Sequence, residues 1–240
     1  MRSLRRHQLV WLHSHGWSRA LASASDGALG PLAQDCMAAW AAQGWPLVLT
    51  RQTSTDPWRE GTLSLGLPAP SRWGRLRIAL TVGCDAVAHV GEFPEAREVI
   101  RLMAPAARSR WVAWFDALAQ AGVVPRVYGS HGWQLLTGLD HLRPGSDLDL
   151  LVPVASPEAA DRAAETLAAQ AACEPGLRLD GELMFGNGAA LPWREWLAWR
   201  SGRVSTVIVK TLSATHLTGQ PFWDQAPDRL PDWLATGVAA

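Results

Sequence analysis

The sequence predicts an α+β fold, with a small N-terminal α+β unit followed by a mixed sheet flanked by helices. Turn residues separate short β-prone runs in the first third of the chain, whereas helix-like and strand-like segments alternate after Pro94. A chain of 240 residues is long enough for one large domain or two small ones. We therefore predict domains over 1–83 and 94–240, joined by a linker over 84–93.

The N-terminal unit is predicted to be mostly strand, with one helix. The segment 30–44, GPLAQDCMAAWAAQG, predicts that helix because it is apolar and bounded by glycines. β-Prone runs bounded by turn residues occur at 7–12, 46–52, 62–70 and 75–82.

Helices and strands alternate in the second unit. Residues 94–122 have the apolar spacing of one or two helices, interrupted at Pro105. Ser156 and Pro157 predict the start of another helix, over 157–172, as its N-cap and first residue. We also predict strands at 124–130, 147–154, 176–185 and 203–212, and a short helix at 131–139.

Bulk composition narrows the possible partners. The 22 basic and 22 acidic residues give a formal net charge of zero, so no overall field favours nucleic acid or an anionic membrane. The three cysteines show no zinc-ligand or disulfide spacing, which is typical of the reducing cytoplasm. No apolar stretch approaches the ~20 residues that span a bilayer.

Gly129 and Ser130 occupy the turn between a predicted strand and a predicted helix. Backbone N–H groups and the positive end of the helix dipole meet at such a turn, where they can bind a phosphate. An ordinary capped turn has the same sequence pattern, so this dipeptide alone does not identify an anion site.

Asp147 and Asp149 begin the apolar strand DLDLLVPV. Side chains at i and i+2 of a strand share one face, roughly 6.5–7 Å apart at Cα. Mg²⁺ usually takes one or two carboxylates together with phosphate oxygens of a substrate. Asp-x-Asp ordinarily marks a solvent-exposed strand face. Here the motif follows the Gly-Ser turn, and this order favours a metal site.

The order of strand, Gly-Ser, helix and Asp-x-Asp strand resembles the nucleotidyltransferases of the polymerase-β type. The longer segment YGSHGWQLLTGLDHLRPGSDLDLLVPV, residues 128–154, is similar to the phosphoribosyl-dephospho-CoA transferases of malonate decarboxylase. The similarity continues through LDGELMFGNGAALPWREW at 179–196 and VIVKTLSATHL at 207–217.

This resemblance implies a nucleotidyltransferase-like fold and a particular reaction. Members of the family move the phosphoribosyl-dephospho-CoA group from a 5″-triphosphate precursor to a serine of the decarboxylase's apo acyl-carrier subunit, releasing pyrophosphate. It implies a pair of Mg²⁺ ions held by Asp147, Asp149 and a third carboxylate, of the kind that stabilises attacking and leaving oxygens.

Asp180 and Glu182 are the candidates for the third carboxylate, and we prefer Asp180. Gly181 between them leaves open a hairpin tip with both acids in solvent. Lys210, the only lysine, and Arg178 are candidates for phosphate binding beside Gly129 and Ser130. A solvent-exposed lysine at the end of a strand is the alternative for Lys210.

Two other functions are compatible with these residues. One is a nucleotidyltransferase that acts on a small molecule or on another protein. The other is a nucleotide-binding adaptor without catalytic turnover, which the intact Gly-Ser and Asp-x-Asp elements disfavour.

Overall fold

The computed structural model describes residues 4–25, 29–174 and 176–224. These residues form a five-stranded sheet and a six-stranded sheet with helices packed around them, which confirms the predicted α+β class. Within these ranges, no helix combines the length and the apolar character that a membrane span requires.

The first sheet is entirely antiparallel, in the order β4-β3-β2-β1-β5. Its strands are β1 (Leu9–Leu12), β2 (Leu47–Leu49), β3 (Thr62–Pro68), β4 (Arg77–Gly83) and β5 (Val87–Gly91). The helices of this unit are α1 (Ser14–Ser25), α2 (Pro31–Gln43) and the single turn α3 (Pro57–Glu60).

Two features of this unit differ from the sequence prediction. The segment 84–93, expected as a linker, contains β5, which pairs with β1 at the edge of the sheet. The strand pattern of this segment is weak because β5 is short and most of its residues are only half-buried. Helix α1 was also missed, although its buried residues Trp17, Ala20 and Ala24 have the spacing of one helix face.

The second sheet has the order β11-β10-β9-β8-β7-β6. Its strands are β6 (Arg126–Val127), β7 (Leu148–Val154), β8 (Leu179–Phe185), β9 (Ala190–Pro192), β10 (Val207–Lys210) and β11 (Thr215–Thr218). The helices are α4 (Pro105–Gln120), α5 (Gly129–Thr137), α6 (Pro157–Cys173) and α7 (Trp193–Arg200). The predicted cap of α6 is present, with Ser156 Oγ accepting from the Ala159 N–H at 3.2 Å.

Strands β7 and β8 of the second sheet form a parallel pair. One face of this pair is apolar, and Leu148, Leu150 and Val152 belong to the core that includes α6. Because side chains alternate along a strand, Asp149, Asp180 and Glu182 lie on the other face. That face lies towards the N-terminal unit, as its contacts with His7 show.

Gly181 allows β7 and β8 to approach closely. It has a φ of +146°, and a Cβ at this position would overlap the carbonyl oxygen of Leu150. The sequence alternative of a hairpin tip at Gly181 is wrong, because β8 runs through this residue in register with β7. Asp180 and Glu182 therefore lie on the sheet rather than in a solvated turn.

We expect Gly181→Ala to lower the free energy of unfolding by about 2–4 kcal/mol, through backbone strain and displacement of β7. Urea unfolding of the two proteins measures this difference. Gly186→Ala is the matched control, since nothing lies within 4 Å of a Cβ at Gly186. Equal losses in the two variants would show that β7 and β8 do not depend on this contact.

Candidate active site

The parallel pair brings carboxylates from separate parts of the chain together. Asp149 and Asp180 are Cα partners in the β7–β8 register. Asp147 lies one residue before β7, where the Leu148 N–H donates to the Arg178 carbonyl oxygen at 2.8 Å. Three carboxylates therefore meet at the same end of two neighbouring strands.

Arg178 is the cation beside this acidic cluster, which we define as Asp147, Asp149 and Asp180. Its guanidinium lies 3.3 Å from Asp147 Oδ2 and 3.6 Å from Asp180 Oδ2. The Arg178 side chain is 65% exposed, so solvent screens both ion pairs. Among the described residues, Arg178 is the cation paired with this cluster, and one screened cation is too little to balance three carboxylates.

Asp149 shows the resulting imbalance most clearly. Burial, followed by the charges of Asp180 and Asp147, raises its pKa to about 7, and Arg178 opposes this only in part. A carboxylate in such surroundings gains from a bound cation, because a cation removes the repulsion that disfavours the ionised form. The cluster thus has the electrostatics of a cation site.

Gly129 places the start of α5 against Asp149. Gly129 has a φ of +60°, and a Cβ on it would overlap Asp149 Oδ2. The Tyr128 N–H donates to the Asp149 carbonyl oxygen at 3.0 Å, which fixes β6 beside β7 at this point. Helix α5 begins at Gly129 itself, so half-buried Ser130 lies in its first turn rather than before it. The N–H groups of a first helical turn have no partner within the helix, so here they can donate to an anion near the acidic cluster.

Glu182 makes different contacts from Asp180. It is buried, and Lys210 Nζ lies 2.5 Å from Glu182 Oε1. His7 Nε2, from the N-terminal unit, lies 3.6 Å from Glu182 Oε2, which is too far for a hydrogen bond. Lys210 is therefore paired with a buried carboxylate, rather than free in solvent as in the alternative that its position in the sequence left open.

The charges around Glu182 keep it ionised. Burial acts to raise its pKa, but the interactions with His7 and Lys210 outweigh burial and lower the pKa to about 2. The ring of His7 also contacts that of Tyr128, with 4.6 Å between centroids. The N-terminal unit thus supplies a residue to the acidic face of the second sheet.

Sequence reasoning missed three residues of this site: His7, Tyr128 and His131. His7 has no metal-ligand spacing with neighbouring acids, and its contact with Glu182 spans 175 positions, so no local pattern points to it. His131 is buried, and its Nδ1 lies 2.9 Å from the Asp147 carbonyl oxygen. Only the position of His131 after the Gly-Ser turn pointed to the site.

The acidic cluster offers the kind of ligand atoms that Mg²⁺ prefers, which are carboxylate oxygens. Among the described residues, no group of three or more His, Cys, Asp or Glu side chains forms a ready-made metal shell. Mg²⁺ does not require one, because it typically keeps several waters and binds through one or two carboxylates and substrate phosphates. Asp147 and Asp149, with Asp180 adjacent, supply oxygen donors of the right kind, and burial together with the neighbouring carboxylates raises the pKa of Asp149.

Family models and individual relatives all match the chain to one kind of protein. The family model described as phosphoribosyl-dephospho-CoA transferase MdcG C-terminal domain matches residues 96–221, and its N-terminal counterpart matches 5–93. A phosphoribosyl-dephospho-CoA transferase of Bradyrhizobium diazoefficiens is 39% identical over 215 residues, covering 88% of each chain. One from Xanthomonas campestris is 38% identical, covering 85% of this chain and 89% of its own, and one from Pseudomonas putida is 28% identical, covering 75% and 82%. No solved structure was found to match the chain.

Carboxylates beside the N-terminus of a helix are typical of enzymes that act on phosphate groups. With matches over both halves of the chain, the comparisons define the class of enzyme as a transferase. The chain belongs to the phosphoribosyl-dephospho-CoA transferase family.

We expect Glu182→Gln to destabilise the protein by about 3 kcal/mol at neutral pH, because it leaves Lys210 without its buried partner. The folded-state pKa of Glu182 lies below its ordinary value, so its stabilisation is complete above about pH 4.5 and is lost as the pH falls towards about 2. The stability difference between wild type and variant, measured by urea unfolding, should shrink over that range.

The double variant Glu182→Gln, Lys210→Met removes both charges and serves as the control. Replacing a whole buried pair costs much less than breaking it, so we expect this protein to recover most of the lost stability. A double variant as unstable as the single one would show that Lys210 is not the partner that matters.

Proposed function

We propose that this enzyme transfers the phosphoribosyl-dephospho-CoA group from 2′-(5″-triphosphoribosyl)-3′-dephospho-CoA to a serine of an apo acyl-carrier protein. The names of the related transferases support the transferred group. The acceptor, the apo acyl-carrier subunit of malonate decarboxylase, is proposed from the resemblance of residues 128–154. A cytoplasmic location is proposed from the cysteines, which show neither disulfide nor zinc-ligand spacing. The three free cysteines are compatible with a reducing compartment.

The proposed step is a substitution at the phosphorus nearest the ribose. The acceptor serine oxygen forms a bond to this phosphorus, and the bond from the phosphorus to the bridging oxygen of the pyrophosphate breaks. The serine proton passes to a carboxylate, for which we propose Asp180 because it lies beside Asp149 and is one-third exposed. Pyrophosphate leaves with the electrons of the broken bond.

The observation that carries this proposal is the register of Asp149 with Asp180, with the start of α5 against Asp149. It sets oxygen donors for a cation next to N–H donors for a phosphate. Bound Mg²⁺, in one or two ions at Asp147, Asp149 and Asp180, would neutralise charge on the attacking and leaving oxygens. The chain's own part is to position the substrate and exclude other geometries.

Phosphate binding is proposed for four residues at this end of the sheet. The backbone N–H groups of Gly129 and Ser130 begin α5 and can donate to phosphate oxygens. Arg178 is exposed and lies beside the cluster, so its guanidinium can leave the carboxylates of Asp147 and Asp180 and bind the triphosphate of the substrate instead. Lys210 contributes through its positive charge while it remains paired with Glu182.

Incubation with apo carrier protein, the triphosphate precursor and Mg²⁺, followed by intact mass of the carrier, tests the reaction. We expect the carrier to gain one phosphoribosyl-dephospho-CoA group, and chelation of the metal to abolish the gain. Asp147→Asn and Asp149→Asn should each lower the rate at least about 100-fold, since each removes an oxygen ligand of the metal. Near-normal transfer by either variant, or by the chelated enzyme, contradicts the metal assignment.

Gly129→Ala should also lower the rate at least about tenfold, because its methyl group must displace the Asp149 carboxylate or the start of α5. Gly138→Ala, at the C-cap of the same helix, is the matched control. Gly138 has a φ of +70° but nothing within 4 Å of a Cβ, so it carries a similar backbone strain without the contact. Similar rates in the two variants would mean that strain, rather than the Asp149 contact, sets the effect.

A further inference from the structure

A cleft of about 540 Å³ opens beside the acidic cluster. Asp147 and Arg178 line it, so it is continuous with the proposed site of reaction. The lining continues along Leu142, Arg143 and Leu177. Its volume falls in the usual range for small-molecule sites, about 300–1,000 Å³.

The loop between α5 and β7 forms one wall of this cleft, and hydrogen bonds hold it in place. Gln134 Oε1 accepts from the N–H groups of His141 and Leu142 at 3.2 and 3.0 Å. Arg75, from the N-terminal unit, donates to the carbonyl oxygens of the same two residues at 2.7 and 3.2 Å. Arg143 N–H donates to Ser146 Oγ at 3.0 Å, which closes the following turn. The wall is therefore formed before any ligand arrives, which lowers the entropic cost of binding.

The chemistry of the lining favours a ligand with both anionic and flat apolar parts. Arg143 and Arg178 are exposed guanidiniums, which bind phosphates through paired N–H donors. Leu142 and Leu177 are only half-buried, so apolar surface is available to cover a ring. A diphosphate attached to a nucleoside has this combination of groups.

We propose that this cleft binds the dephospho-CoA portion of the substrate, with Arg143 on its diphosphate. The proposal rests on the proposed function, in which this portion must extend away from the phosphorus that reacts at the acidic cluster. Because Asp147 belongs to both the cluster and the cleft wall, a substrate with its triphosphate at the cluster can continue directly into the cleft.

The test uses dephospho-CoA itself as the probe, with binding measured by titration calorimetry. We expect Arg143→Gln to weaken binding of dephospho-CoA about tenfold, through loss of a charge-assisted contact, and to leave binding of inorganic triphosphate unchanged. Arg162→Gln, at an exposed arginine on α6, is the matched control and should bind both probes as the wild type does.

Two outcomes would overturn the assignment of the cleft. One is dephospho-CoA binding to Arg143→Gln as tightly as to the wild type, and the other is a loss confined to inorganic triphosphate, which would place the leaving tail there. Failure of the proposed function is separate from both. If Arg143→Gln weakens dephospho-CoA binding but the wild type never modifies a carrier protein, the assignment of the cleft is supported and the proposed reaction is contradicted.

Discussion

The parallel pairing of β7 with β8 is the constraint on which the rest of the site depends. It sets Asp149 beside Asp180, two like charges that repel each other on adjacent strands. Apolar packing of the opposite face against α6 holds the strands in this register despite that repulsion. Gly181 lets the backbones approach, since any side chain there would meet Leu150. A stable core thus supports a locally unfavourable cluster, which is common where a protein binds a charged ligand.

Both sheets contribute to holding the acidic residues in place. The acidic face of the second sheet meets the N-terminal unit, where His7 approaches Glu182 and the Gln52 N–H donates to the Leu212 carbonyl oxygen at 2.9 Å. Such contacts fix the acidic face by means of residues far away in the sequence. The N-terminal unit is therefore part of the architecture of the site, and Arg75 extends this role to the loop that lines the cleft.

Two carboxylate environments on one strand explain why Asp180 and Glu182 have different roles. Asp180 is one-third exposed and has only a screened arginine nearby, so it can exchange partners with a substrate or a metal. Glu182 is buried against Lys210 and stays ionised, which suits a structural ion pair. Side chains two residues apart on one face can thus differ in chemistry because burial and neighbouring charge differ.

Local sequence determined much of this protein. The Ser156–Pro157 helix start and the apolar strand after Asp147 depend on neighbouring residues, so their patterns were sufficient. The helix at the Gly-Ser pair begins at Gly129, two residues earlier than predicted. Tertiary structure alone decided which strand lies beside β7, that Lys210 pairs with Glu182, and that His7 reaches the same carboxylate. Strand β5 and the short strand β9 were also decided by the tertiary structure, because each is defined by its pairing with another strand of its sheet. Periodicity records which face of an element is buried, whereas packing of distant segments determines what that face meets.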